Sequence, residues 1–168
     1  MAMKPKTRVG IGYDAHRLVE KRPLVLGGVR IEQERGLDGH SDADVLIHAL
    51  MDALLGAARM GDIGQHFPDT DEKYRDADSL ELLKTVLSMI EHKGWKVGNA
   101  DVTLLAEKPK VALHIADMIT NLEAAGMPEG SVNIKATRGE GMGFIGREEG
   151  MAAIAVVMIE KSDPLLDR

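Results

Sequence analysis

The sequence contains no cysteine and very few aromatic residues. Its 168 residues include one Trp, two Tyr and two Phe. The absence of Cys excludes disulfide scaffolds, thiolate zinc sites, iron–sulfur clusters and cysteine nucleophiles. Metal ligands must therefore come from His, Asp and Glu. So few aromatic rings also cannot form a base-stacking surface, which argues against a nucleic-acid partner.

The sequence also lacks an excess of positive charge and any long apolar run. Its 27 acidic and 21 basic residues give a formal net charge of −6, which is unfavourable for binding a phosphate backbone. No run approaches the roughly 18 apolar residues of a membrane span, and the first residues lack the apolar core of a signal peptide. We therefore expect a cytoplasmic protein without a membrane partner. A small phosphorylated substrate fits this charge only where cations offset it locally.

Strand and helix patterns alternate along the sequence. Residues 7–14 predict a strand, and residues 24–31 predict a second strand that a glycine pair interrupts. A helix is predicted from Ser41, its N-cap, to Gly56, which ends it. The alternation predicts one α/β domain over residues 1–168, an α+β-like two-layer fold with helices on one face of a mixed sheet. Further strands are predicted at 97–107, 132–137 and 151–159, and further helices at 80–94 and 111–125.

Candidate metal ligands occur on the first strand and the first helix. Asp14 and His16 are two residues apart, so an extended strand that ends here points both side chains to one face. Asp44, His48 and Asp52 recur every four residues and form a polar stripe on an otherwise apolar helix. A buried stripe of this kind needs either a cation or hydrogen-bond partners. A hydrogen-bonded core histidine and a capping aspartate explain the same pattern, so spacing alone leaves both interpretations open.

Other polar segments suggest phosphate contacts. His40 precedes Ser41 at a predicted helix start, where backbone N–H groups favour an anion, although an ordinary capped turn also explains it. Glycine-rich polar segments at 61–71, 108–110 and 135–147 are either turns or phosphate-binding loops. No Walker, Rossmann or G-x-S-x-G fingerprint occurs, which excludes those nucleotide sites and argues against a serine hydrolase. The remaining histidines are expected to be structural or solvent-exposed: His66, His92 and His114.

Several spaced motifs follow one another in a particular order. They are Asp14-Ala15-His16, G-L-D-G-H-S-D-A-D at 36–44, H-A-L-M-D-A-L-L-G-A at 48–57, G-D-I-G at 61–64, F-P-D-T-D at 67–71 and Phe144-x-Gly146-Arg147. Together they closely resemble the 2-C-methyl-D-erythritol 2,4-cyclodiphosphate synthase family, over residues 8–160. Because many motifs match in order, the resemblance is specific.

The resemblance implies an activity, an assembly and two metal ions. Members of that family are metal-dependent phosphorus–oxygen lyases. They convert 4-diphosphocytidyl-2-C-methyl-D-erythritol 2-phosphate to the 2,4-cyclodiphosphate and CMP in non-mevalonate isoprenoid biosynthesis. A homotrimer around a central sheet-lined axis is implied, with active sites between subunits. Zn²⁺ is expected on Asp14, His16 and His48, and Mg²⁺ or Mn²⁺ on Glu140 and the substrate phosphates.

The resemblance also implies substrate contacts. His40 and Ser41 match phosphate-contacting positions, and His40 is assigned a catalytic role. Phe144 and Arg147 match positions near the trimer axis, where relatives hold a cavity that accepts an isoprenoid diphosphate. The substrate-binding set carried over by the resemblance is Asp14, His16, His40, Ser41, Asp62, Ile63, Gly64, Phe67, Asp69, Asp71, Ala106, Lys108, Pro109, Lys110, Thr137, Glu140, Phe144 and Arg147.

The sequence departs from the family pattern at one position. Arg138 and Gly139 follow Thr137, where family members usually continue with further threonines, the first of which contacts phosphate. The Arg138 guanidinium could replace the missing hydroxyl through a charge-assisted contact, and we assign it a catalytic role with His40. The competing interpretation is a solvated Arg138 on a loop that Gly139 lets move.

Two other functions remain open at this stage. A metal-dependent phosphodiesterase would share an open metal site, but it would position a water molecule and release a linear phosphate. A non-catalytic oligomeric ligand-binding module would keep Phe144 and Arg147 and would tolerate loss of Asp14, His16 or His48. All three of these positions are intact, which counts against the module.

Overall fold

A five-stranded mixed sheet carries the site. The structure is a computed structural model and describes residues 6–162, so the ends of the predicted 1–168 domain lie outside the described residues. The sheet order is β4-β1-β7-β5-β6, and only the β5–β6 pair is parallel. A small separate sheet pairs β2 with β3. The strands are β1 Thr7–Glu20, β2 Leu24–Leu26, β3 Val29–Ile31, β4 Arg35–Leu37, β5 Trp95–Leu105, β6 Val132–Thr137 and β7 Gly150–Lys161.

The helices cover one face of this sheet, which confirms the predicted two-layer α/β fold. Helix α1 packs on β1 and β7 and is buried on nearly all sides, so it forms the centre of the hydrophobic core. The helices are α1 Val45–Ala58, α2 Ile63–His66, α3 Ser79–His92, α4 Ile115–Ala124 and α5 Gly143–Gly146, with 3₁₀ turns at Glu72–Tyr74 and Val111–His114. Among the described residues, no helix is long and apolar enough to cross a membrane.

Two glycines of β1 allow α1 to lie directly on the strand. A Cβ added at Gly10 would come within 2.0 Å of the Ala53 carbonyl oxygen, and one at Gly12 within 1.9 Å of the Ala49 carbonyl oxygen. Side chains on this face of β1 would therefore push the helix away. The close approach places the next inward-facing residues of β1, which begin with Asp14, beside α1.

The predicted end of the first strand and the prediction of a single strand over residues 24–31 are wrong, although the start at Thr7 is exact. β1 continues to Glu20 because β7 pairs with it through Arg17 and β4 pairs with its last three residues, so Asp14 and His16 lie within the strand. Residues 24–31 form a hairpin instead of one interrupted strand. Gly27 and Gly28 make its turn with φ angles of 56° and 71°, a conformation that glycine adopts at little cost.

The predicted ends of α1 also need correction. Asp44, not Ser41, is the N-cap, because its carboxylate accepts a hydrogen bond from Ile47 N at 3.1 Å. The left-handed backbone of Ala43, with φ of 56°, keeps the preceding residues out of the helix. At the other end α1 passes through Gly56 and stops at Arg59, which adopts the left-handed capping conformation.

The other predicted elements are present with shifted ends. The strand expected at 97–107 is Trp95–Leu105, the one at 151–159 is Gly150–Lys161, and the one at 132–137 is exact. The helix expected at 111–125 begins as a 3₁₀ turn before α4, and the helix expected from residue 80 begins one residue earlier. Strand β4 and the short helices α2 and α5 were not predicted.

Candidate metal centre and active-site cavities

Asp14, His16 and His48 form a cluster that could hold a metal ion, as the sequence predicts. Asp14 Oδ2 lies 2.8 Å from His16 Nε2 and 3.2 Å from His48 Nδ1. The two ring nitrogens lie 3.2 Å apart. Strand β1 supplies the first two residues and α1 supplies His48, so the close packing at Gly10 and Gly12 brings the ligands together.

His16 also makes a hydrogen bond through Nδ1, the ring nitrogen that points away from the cluster. This hydrogen bond shows which ring nitrogen carries the proton in the neutral imidazole. His16 Nδ1 lies 2.7 Å from the Asp38 carbonyl oxygen. Because a carbonyl oxygen only accepts, Nδ1 carries a proton, so in the neutral imidazole that could bind a metal Nε2 is the nitrogen with a lone pair directed at the cluster. Such an outer partner is typical of a metal-ligating histidine.

The ionisation of the cluster is strongly coupled. Burial raises the pKa of Asp14, but the contacts of its carboxylate with the His16 and His48 rings outweigh burial and hold the pKa well below its ordinary value. Burial lowers the pKa of His16, but the hydrogen bond to Asp14 and its charge outweigh that effect and raise the pKa. Three electron-pair donors thus converge and need either a shared proton or a cation. One carboxylate and two imidazoles form a donor set that fits a divalent metal with an open position.

The other two carboxylates of the predicted polar stripe have structural roles. Asp44 is fully buried and accepts backbone N–H groups from Gly27 at 3.0 Å and Gly28 at 2.7 Å, besides capping α1. Burial raises the pKa of Asp44 to about 6, assisted by the nearby negative charge of Asp42 and opposed by these backbone bonds. Asp52 accepts the backbone N–H of Ile63 at 2.8 Å and so anchors α2. The capping interpretation of Asp44 is confirmed, and His48 is both a hydrogen-bonded buried histidine and a member of the cluster that could hold a metal ion.

A cavity of about 360 Å³ lies beside the cluster. Tyr74 and Leu82 also line it, and the sequence analysis missed both. Asp62 and Asp71 do not line it, since they cap α2 and the 3₁₀ turn at Glu72–Tyr74. The predicted site residues brought together here are His16, His40, Ser41, His48, Ile63, Gly64, Phe67 and Asp69.

A second cavity, of about 640 Å³, lies between the end of β5 and the end of β6. It shares no lining residue with the first cavity. Arg138 lies on its wall and pairs with Glu107, through Nε at 3.1 Å from Oε1, and Glu107 also accepts the Gly139 N–H at 3.0 Å. The predicted residues that meet here are Ala106, Lys108, Pro109, Lys110, Thr137, Arg138 and Glu140.

Phe144 and Arg147 line neither of these two cavities. Phe144 is partly exposed and lines a shallow pocket with Tyr13 and Glu149 at the outer face of β1. Arg147 pairs with Glu149 at 2.9 Å. Among the remaining histidines, the ring of His66 bonds the Met60 carbonyl oxygen, the ring of His92 bonds the Ser88 carbonyl oxygen, and His114 precedes α4.

Comparison with known proteins assigns the family. A sequence model of the YgbB family matches residues 7–160. A 2-C-methyl-D-erythritol 2,4-cyclodiphosphate synthase from Alkaliphilus oremlandii is 58% identical over 156 residues, which cover 92% of this chain and 99% of that protein. The chain belongs to this synthase family. A synthase of the same name from a Geobacillus species is 57% identical over 92% of this chain and 98% of that protein.

Solved structures of the synthase family have the same fold. One 2C-methyl-D-erythritol-2,4-cyclodiphosphate synthase in a CDP-bound form superposes with a TM-score of 0.83 at 36% identity, covering 91% of this chain and 100% of that chain. An IspF–CDP complex from Plasmodium falciparum gives 0.82 at 28% identity, covering 96% and 100%. The bifunctional IspDF from Campylobacter jejuni gives 0.90 at 43% identity over 94% of this chain, which spans 43% of that longer chain.

Proposed function

We propose that this chain converts 4-diphosphocytidyl-2-C-methyl-D-erythritol 2-phosphate to 2-C-methyl-D-erythritol 2,4-cyclodiphosphate and CMP, in isoprenoid precursor biosynthesis. The observation that carries the proposal is the cluster of Asp14, His16 and His48 beside a cavity lined by His40 and Ser41. Relatives that are 58% and 57% identical bear the name of this synthase, which supports it.

The donor set supports Zn²⁺ at the cluster. Two imidazole nitrogens and one carboxylate oxygen are usual ligands of a catalytic zinc, and they leave a fourth position for a phosphate oxygen. When bound, Zn²⁺ would polarise that phosphate and neutralise part of its charge. We further propose that Glu140, on the wall of the second cavity, holds Mg²⁺ or Mn²⁺ together with the substrate phosphates.

The residues of the chain would act mainly by positioning. The attacking group is the substrate's own phosphate, which is already anionic, so no protein nucleophile is needed. His40 and Ser41 would orient this phosphate, since both line the cavity beside the metal cluster. Lys110 and Arg138 would offset charge at the diphosphate from the second cavity, where the cytidine would bind.

Two features support a homotrimer. The two cavities share no lining residue within one chain, which supports a site in which a second subunit supplies the cytidine cavity. The sheet face opposite the helices also exposes large apolar side chains. An apolar face of this kind indicates a protein interface. The exposed side chains are Val9, Ile11, Tyr13 and Val156.

The axial part of the trimer is also a proposal. Phe144 and Arg147 would line its axis, because the pocket containing Phe144 borders the exposed face of β1 at Tyr13. An isoprenoid diphosphate would fit there through apolar contacts with Phe144 and an ion pair with Arg147. The cytoplasmic location remains a prediction.

Product analysis tests the proposed reaction. Purified protein is incubated with the diphosphocytidyl substrate, with and without a chelator, and the phosphorus-containing products are identified by ³¹P NMR. We expect CMP and the cyclic diphosphate, with loss of both on chelation. A linear phosphate would instead identify a metal-dependent phosphodiesterase, and unchanged substrate in the presence of Zn²⁺ and Mg²⁺ would refute the proposal.

A further inference from the structure

The ring nitrogen of His48 that faces away from the metal-ligand cluster lies in a buried group of hydroxyls. His48 Nε2 lies 3.0 Å from Ser79 Oγ and 3.1 Å from Ser41 Oγ. Ser79 is the first residue of α3 and is fully buried, and His48 and Ser41 are nearly so. Water therefore has little access to these hydrogen bonds, and the protein's own atoms determine their direction.

The proton of the Ser79 hydroxyl has one clear acceptor. Ser79 Oγ lies 2.5 Å from Asp42 Oδ1, and an ionised carboxylate only accepts hydrogen bonds. Since a serine hydroxyl has one proton, donation to Asp42 leaves Ser79 Oγ to accept from His48 Nε2. A proton on Nε2 leaves Nδ1 without one, with its lone pair directed at Asp14 and His16.

The Asp42 carboxylate is itself held in place. It accepts the backbone N–H of Asp44 at 3.1 Å and that of Ser79 at 2.9 Å. The backbone N–H of Asp42 donates to the Ala77 carbonyl oxygen at 3.1 Å. These bonds join the loop before α1 to the start of α3, so Asp42 cannot turn away from Ser79 without breaking several of them.

We propose that Ser79 and Asp42 are positioning residues that fix the tautomer of His48 for metal binding. The chain of hydrogen bonds runs from the Asp42 carboxylate through the Ser79 hydroxyl to His48 Nε2. It selects the tautomer in which Nδ1 can coordinate the ion, and it fixes the plane of the ring. Removing an outer partner of this kind usually weakens metal affinity about 10-fold to 100-fold. The inference rests on the proposed metal site.

The tautomer can be read in the parent protein without any substitution. Metal-free protein with ¹⁵N-labelled histidine is examined by long-range ¹H–¹⁵N correlation NMR at a pH where its histidines are neutral. We expect His48 to carry its proton on Nε2. A proton on Nδ1, or an equal mixture of the two forms, would overturn the proposal even if every variant failed to fold.

Zinc affinity tests the consequence for the metal. Competition with a chromogenic chelator should show Ser79→Ala weakening Zn²⁺ binding about 10-fold to 100-fold. Ser88→Ala is the matched control, because Ser88 is an exposed serine on the same helix and its hydroxyl lies beside the His92 ring. This control should bind Zn²⁺ as the parent does.

Two further variants distinguish loss of the hydrogen-bond chain from disturbed packing around residue 79. Ser79→Thr keeps the hydroxyl and should retain most of the Zn²⁺ affinity. If Ser79→Thr binds Zn²⁺ as weakly as Ser79→Ala does, the loss is caused by packing and the proposal is overturned. Adding Asp42→Asn to Ser79→Ala should cause less loss of Zn²⁺ affinity than Asp42→Asn causes in the parent, because part of the effect of Asp42 passes through the Ser79 hydroxyl. Parent protein that binds no Zn²⁺ would refute the zinc part of the proposed function. Equal Zn²⁺ affinity of the parent and Ser79→Ala proteins would refute only the proposed role of the hydrogen-bond chain.

Discussion

Replacement of Gly12 by alanine should separate α1 from β1 and weaken both folding and metal binding. The added Cβ would lie 1.9 Å from the Ala49 carbonyl oxygen and 2.8 Å from Ala53 N, both backbone atoms of a buried helix. A carbon atom and an oxygen atom normally approach no closer than about 3.3 Å, so the helix must move by more than an ångström. Overpacking of this kind typically costs about 1–3 kcal/mol, and a rigid backbone neighbour places Gly12→Ala at the upper end or beyond.

Gly56→Ala is the matched control, because it makes the same chemical change within α1 itself. A Cβ at Gly56 would meet no atom within 4 Å, and alanine favours a helix over glycine by about 0.5–1 kcal/mol. Urea unfolding, followed by circular dichroism in the presence of chelator, should show a lower midpoint for Gly12→Ala and an equal or higher one for Gly56→Ala. Gly12→Ala should also bind Zn²⁺ more weakly, since Asp14 and His48 lie on the separated elements. A Gly12→Ala midpoint equal to that of the parent would refute the reasoning.

His48→Ala should remain folded but lose bound Zn²⁺ and several orders of magnitude in turnover; near-normal activity without zinc would contradict the proposed metal site. Burial raises the pKa of Asp44 from the ordinary value of 3.8 to about 6 in the folded protein, so the folded state binds this proton more tightly than the unfolded chain does. The resulting contribution to the free energy of unfolding is complete below about pH 4 and is lost as the pH rises through 6. This loss is about 3 kcal/mol, and Asp44→Asn should abolish that part of the pH dependence of the unfolding free energy. Arg138→Ala should raise the substrate KM about tenfold. If the kinetics of this variant equal those of the parent, Arg138 serves only to pair with Glu107. Sedimentation should show a species near three times 18.2 kDa, and a monomer at micromolar concentration would contradict the shared site.

Features encoded by local spacing were predictable from the sequence. The i, i+2 pair Asp14 and His16 and the helical position of His48 made these residues candidates. Spacing alone left a hydrogen-bonded core histidine open as well, and the ordered motifs that carry the family resemblance were needed to nominate the metal ligands. The alternation of strands and helices was sufficient for the fold class. Segment ends were less accurate, because the end of β1 depends on its pairing with β4 and β7 and is not marked by any residue within it.

Features that depend on distant contacts were not predictable. Ser79 looks like an ordinary helix-start serine, and only the packing of α3 against the loop before α1 turns its hydroxyl toward His48 and Asp42. The different roles of Asp44 and Asp52 likewise depend on the hairpin and on α2, which lie elsewhere in the chain. The Glu107 partner of Arg138 is brought to it by the parallel pairing of β5 with β6.

The position of β7 in the sheet affects the order in which the chain can fold during synthesis. Within residues 6–162, β7 is the last strand to be synthesised, yet it lies in the sheet between β1, which is the first, and β5. Until residues 150–161 are available, β1 and β5 both expose unpaired edges, and β1 cannot complete the sheet that supports Asp14 and His16. Such long-range pairing slows folding. The candidate metal ligands are therefore synthesised well before the strand that completes the sheet beneath them.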